Sequence, residues 1–121
     1  MRPPIIVIEH GDVTIFESVA KAQNGLESID VKNGEYVAYD RDGRLLRLAV
    51  VQVERPSFFG KVKSIEGVEI SEADDGIDHA IELRKALINF FKKTSVYDRE
   101  DEELALSDLV NKAVKQYGYT E

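Results

Sequence analysis

Two histidines, His10 and His79, are the side chains of this chain best suited to acid–base work near neutral pH. His10 follows Glu9 in a turn-like stretch, the pairing that a small hydrolase would need. His79 stands four residues after Asp75, an i, i+4 spacing that could ligate a metal. Asp74, Asp75 and Asp78 add the oxygen donors that Mg²⁺ or Ca²⁺ takes, but no EF-hand loop surrounds them. Asp40 and Asp42-Gly43 imitate a fragment of such a loop, and Arg44-Leu45-Leu46-Arg47 then breaks it. Acids at 74–78 are explained by a helix start, whose dipole favours them, and both histidines read as solvent-facing turn residues. The phosphate-loop, dinucleotide, nucleophile-elbow and zinc-protease signatures are all missing. The seven serines carry no mark of an activated nucleophile, and there is no cysteine for a thiolate, a zinc finger or a disulfide. The expectation is a non-enzymatic protein with no cofactor and no metal.

Charge is the more informative chemistry. The 121 residues carry a net charge of -7, distributed unevenly. Residues 1–40 sum to -4, residues 41–63 to +4 and residues 64–121 to -7. Within the last block, Asp98, Glu100, Asp101, Glu102 and Glu103 place five carboxylates in six positions. One or two would satisfy a helix N-terminus, each worth roughly 0.3–1 kcal/mol. The surplus is what a steering surface for a partner with a basic face looks like. The middle block offers Arg44, Arg47, Arg55, Lys61 and Lys63, which could grip an anionic ligand or pair with the acidic helices. Phe58 and Phe59 stand side by side in a loop; neighbours in extended chain point oppositely, so one could pack inward while the other anchors a partner or a second copy of this chain. An acidic chain repels phosphate backbones, so nucleic acid is a poor partner. The apolar run Ile5–Ile8 is far below the ~20 residues of a membrane span and too short for a signal peptide, which makes the cytoplasm the expected location.

These residues need elements to position them, and the length fits a single domain over residues 1–121. Ile5–Ile8 and Val13–Phe16 flank His10-Gly11-Asp12 as a first hairpin. Ser18–Leu26 suits a short helix, and Glu35–Tyr39 a strand. Arg41-Asp42-Gly43 turns the chain into Arg44–Val53, of which Leu48–Val51 reads as buried on both faces. Pro56 ends that strand, and Lys61–Ile70 supplies further strand with a bulge or turn at Glu66-Gly67. The period then changes to 3.6 residues. Ile77, Ala80, Ile81, Arg84, Leu87, Ile88 and Phe91 form one helical stripe, capped by Asp74 or Asp75. Leu106, Leu109, Val110, Ala113, Val114 and Tyr117 form a second, ended by Gly118. Strands first and helices last predict an α+β fold: an antiparallel or mixed sheet of about five strands, covered on one face by two C-terminal helices.

The segment Tyr36–Leu46 carries one YD-x-x-G-R-L-like unit, whereas a repeat architecture needs at least three copies to bury its faces. More broadly, IFESVAKA at 15–22 and IDVKNGEYVAYDRDGRLLRL at 29–48 resemble small bacterial proteins of the toxin-immunity type. That resemblance implies an acidic α+β protein that binds and blocks a cognate toxin. The expected partner surface is then Asp98, Glu100, Asp101, Glu102 and Glu103, with Asp74 and Asp75 beside it and Phe58 or Phe59 as apolar anchor. The runner-up is a small-ligand or regulatory module built on the basic strands 44–63.

Overall fold

A computed structural model describes residues 1–56, 60, 62–73 and 75–121, leaving the side chains of residues 55, 56, 62 and 63 undescribed. Phe58, Phe59, Lys61 and Asp74 therefore lie outside the described residues, as do the side chains of Arg55 and Lys63. The chain is α+β. Five strands, β1 (Ile5–Glu9), β2 (Asp12–Phe16), β3 (Val37–Tyr39), β4 (Leu45–Pro56) and β5 (Val62–Glu72), form one antiparallel sheet in the order β2-β1-β3-β4-β5. Helices α1 (Val19–Gly25) and α2 (Ser28–Lys32) precede β3. Helix α3 (Ala80–Lys93), a 3₁₀ segment (Arg99–Glu103) and α4 (Leu106–Tyr117) follow β5.

Local chemistry explains the tight turns. His10 and Gly11 both take positive φ, 50° and 84°, and Glu9 pairs with Asp12 across them. That is the two-residue hairpin whose twist matches the flanking strands. Gly43 is needed twice over. Its φ is 82°, and a Cβ there would lie 2.5 Å from the Ala80 Cα, so the β3–β4 turn can press against the start of α3 only without a side chain. Asp40, 1% exposed, braces the same turn by accepting from the backbone N–H groups of Arg2, Asp42 and Arg44.

The two C-terminal helices cover one face of the sheet, as the sequence predicts, and α1 and α2 lie on the other. Strand alternation sends Ile6, Ile15 and Tyr39 towards Leu83, Leu87 and Phe91 of α3 and Leu109, Val110 and Ala113 of α4. The opposite face sends Ile5, Val7, Phe16, Ala38, Leu46, Val68 and Ile70 against Ala22 and Leu26, beside α1 and α2. Each of the large buried side chains contributes roughly 1.5–3 kcal/mol of hydrophobic stabilisation.

Three strand and helix expectations need correction. First, Leu48–Val51 is half-buried, not buried on both faces. β3 pairs with β4 only through Ala38↔Leu46 and Tyr39↔Leu45, so β4 outruns its inner neighbour and continues as a two-stranded ribbon with β5. Second, Glu66-Gly67 is neither bulge nor turn; the ladder runs unbroken from Leu46↔Glu72 to Pro56↔Val62. Gly67 serves close packing, since a Cβ there would meet Val53 Cγ2 at 2.7 Å. Third, α3 starts at Ala80 with His79 at the cap position, so Asp75 is not its cap residue; Asp78 Oδ1 accepts from the Ala80 N–H at 2.9 Å. Its buried residues are Leu83, Leu87, Ile88 and Phe91, which leaves Ile77 64% and Ile81 76% exposed.

Candidate functional site

The acidic run folds as the 3₁₀ segment that joins α3 to α4. Asp98 opens it, accepting from the Glu100 N–H at 3.0 Å, and Asp101 reciprocates by accepting from the Asp98 N–H at 2.9 Å. This capping box satisfies donors that would otherwise be orphaned at the segment's start. Asp101 also meets Lys112 Nζ of α4 at 2.6 Å and is only 3% exposed. Burial pushes its carboxyl up, but the Lys112 contact and the Asp98 N–H outweigh burial and hold it below the usual range. Asp101 therefore leaves the expected partner surface: a buried, paired carboxylate cannot meet a partner. Arg84 of α3 closes the other end of the segment by donating to the carbonyls of Leu104, Asp101 and Glu102.

Four members of the run stay exposed: Asp98, Glu100, Glu102 and Glu103. Glu102 is partly engaged, accepting from the Tyr97 hydroxyl at 3.0 Å with Lys92 Nζ at 3.9 Å. Burial and then the Glu102 carboxylate raise the Tyr97 phenol above its ordinary value. Among the described residues no ion pair engages Glu100 or Glu103. The surplus charge inferred from the sequence is thus on the surface, less one carboxylate.

Beside it lies an apolar feature that the sequence reading assigned to the core. Ile81 and Ile88 are seven residues, two helical turns, apart and share one side of α3. Ile88 is 6% exposed, whereas Ile81 is 76% exposed. Ile81, Arg84, Lys85, Ile88, Asn89, Lys92 and Glu102 line one open depression of about 310 Å³. An exposed isoleucine and the acidic segment therefore border the same hollow. Residue spacing finds the stripe; what packs over each turn decides which part of it is buried.

The N-terminal approach to α3 holds a second polar cluster. His79 Nε2 lies 2.7 Å from Asp75 Oδ2, and Nδ1 lies 3.0 Å from Glu82 Oε2. The Tyr39 hydroxyl donates to that same Glu82 oxygen at 3.1 Å. His79 is 8% exposed, so it is not the solvent-facing turn residue that the sequence suggested. Hydrogen bonds to Asp75 first and Glu82 second raise its pKa. Asp75 is lowered, by the Ile77 N–H and then His79, and Glu82 chiefly by His79. Burial, then Glu82, pushes the Tyr39 phenol up to about 12. With a carboxylate on each ring nitrogen, His79 is a strut between the Asp75 loop and Glu82 of α3, which the Tyr39 hydroxyl in turn joins to β3. Among the described residues no group of three His, Cys, Asp or Glu side chains is placed to hold a metal. The i−4 and i+3 carboxylates around His79 are the sequence signal that could have revealed this strut.

His10, in its hairpin turn, contacts Glu35 rather than using Glu9 as a partner. Of the five basic residues expected to grip an anion, only Arg44 and Arg47 have described side chains. Arg44 borders a cavity of about 530 Å³ that it shares with Glu72 and Asp75, carboxylates that would repel an anion. Arg47, three residues on in β4, is exposed and does not line the cavity that Arg44 borders. Among the described residues no helix is long and apolar enough to cross a membrane. Comparison of the chain with protein-family models, with curated proteins and with solved structures gave no significant match.

Proposed function

We propose that this chain is a non-enzymatic interaction protein that binds and masks a protein with a basic surface, as an immunity protein does with a toxin domain. One observation carries the reading: exposed Ile81 and Glu102 line the same depression, and unpaired Glu100 and Glu103 belong to the segment beside it. An apolar anchor within a charged rim is the usual anatomy of a protein–protein contact. The carboxylates would accelerate encounter with a basic partner, and Ile81, with Ile77 nearby in sequence, would slow its departure. A partner of this kind would be met in the cytoplasm of the producing cell. The dispersal of Arg44 and Arg47, and the carboxylates beside Arg44, give the ligand-binding alternative little support.

Affinity capture from the producing cell tests the proposal. The wild-type chain should retain a basic protein that both Glu100→Lys with Glu103→Lys and Ile81→Asp lose. Equal retention by all three baits would refute this surface as the binding site.

A further inference from the structure

The two edges of the sheet differ in how they end. In an antiparallel ladder, alternate residues direct both N–H and C=O to the neighbouring strand, and those between direct them away. At the outer strand β5 the phase is fixed by two bonds: Ala73 N donates to Leu45 O of the β4 side at 3.2 Å, whereas Ile70 N donates away from β4 to Gln23 Oε1 of α1 at 3.0 Å. Even-numbered β5 residues therefore point their backbone groups outward. Gln23 occupies the Ile70 position, and Val68 is 7% exposed. At the opposite edge the outward carbonyl of Ile15 in β2 is taken by the Thr120 N–H at 2.7 Å. Among the described residues, no hydrogen bond reaches the outward backbone groups of Ser64 and Glu66. An unpaired run of this kind is a template for another strand.

The sequence along this edge is self-complementary about one residue. We propose that β5 pairs antiparallel with β5 of a second copy, about a twofold axis through Ile65, joining two five-stranded sheets into one. In that register Ser64 faces Glu66 of the other copy twice, with the outward backbone groups of both in bonding phase. Ile65 faces Ile65. Lys63 takes the position opposite Gly67 and diagonal to Glu69, which carries the opposite charge. The two Glu66 positions come diagonal to one another, and each Glu66 carries its own Lys32 ion pair at 2.7 Å in the single chain. Neighbouring registers are worse: an axis through Lys63 sets lysine against lysine, and one through Glu66 sets glutamate against glutamate. An axis through Ser64 brings the two Lys63 positions diagonal to each other.

Sedimentation velocity and equilibrium over roughly 1–100 µM, a range spanning weak to moderate self-association, test this. The wild-type chain should show a concentration-dependent monomer–dimer equilibrium. Ser64→Pro removes an outward N–H that β4 does not use, together with the exposed hydroxyl bond to Gln52 Oε1, and should weaken dimerisation by at least roughly tenfold. Ile65→Lys, which opposes two charges on the axis, should do the same; circular dichroism and Tm check that each variant folds. If Ile65→Lys proves unfolded, Ser64→Pro alone decides. A wild-type chain that stays monomeric throughout, or a dimer untouched by the folded variants, would overturn the proposal.

Discussion

Two carboxylate-rich stretches bracket α3, and the fold resolves them in opposite ways. At its start, Asp75 of the preceding loop and Glu82 of the first helical turn, both exposed, close around the buried His79 and spend their charge on it. After it, Asp101 alone turns inward to Lys112, while Asp98, Glu100, Glu102 and Glu103 face water. The difference lies in what each stretch finds nearby. A histidine at helical spacing gives the first a partner of its own, whereas the second must take Lys112 from α4 for Asp101 and a longer contact from Lys92 of α3 for Glu102, two cations for five acids. Net charge therefore says little about where charge is available. The available charge is what remains after local pairing.

The comparison can be broken most severely at Asp101. Asp101→Ala leaves Lys112 partly buried without its counter-ion and removes half of the capping box, at a cost of about 3 kcal/mol. Thermal unfolding should show a Tm lower by on the order of 10 °C. A loss no larger than that of an exposed acid would mean that the inward turn of Asp101 is not structural.

A smaller, pH-dependent effect separates the first stretch from the second. The His79 pKa is raised above the ordinary 6.5, so its contribution is fully present below that value and is lost as pH rises through the folded pKa. The lowered carboxyls of Asp75 and Glu82 contribute above their ordinary values and lose this as pH falls through their folded pKa values. The Tm difference between the wild-type chain and His79→Gln should then be larger at about pH 6 than at about pH 9. A difference that is flat, or grows with pH, would contradict the strut.

The smallest effect belongs to the surplus acids. Glu100→Gln with Glu103→Gln should change stability by less than about 0.5 kcal/mol, because neither side chain has an internal partner to lose. Chemical denaturation of this double variant, set beside Asp101→Ala, places the two kinds of carboxylate on one scale.

Much of the fold was legible because the signals were local. His10-Gly11 and Asp42-Gly43 announce their turns, Ser18 caps α1 by accepting from the Lys21 N–H, and the α4 stripe ends at Gly118 with φ 73°. The five-residue α2 was missed because so short a segment shows no period, and it is placed by the sheet face it helps to cover. Burial at α3 was misjudged because Ile81 and Ile88 are equivalent by spacing and differ only in what packs over them. Asp101 could have been separated from its neighbours: an acid three residues after Asp98 is the spacing of a capping box. The apolar anchor expected at Phe58 or Phe59 lies outside the described residues, and Ile81 takes that place in the account.

Kinetics of association with the captured partner read out the charge of the acidic segment itself. Stopped-flow mixing at low and high salt, with the wild-type chain and with Glu100→Lys/Glu103→Lys, would measure the steering that this surface supplies. The variant should associate more slowly at low salt and with a shallower salt dependence, its dissociation rate nearly unchanged. An association rate at low salt equal to that of the wild-type chain would contradict that steering.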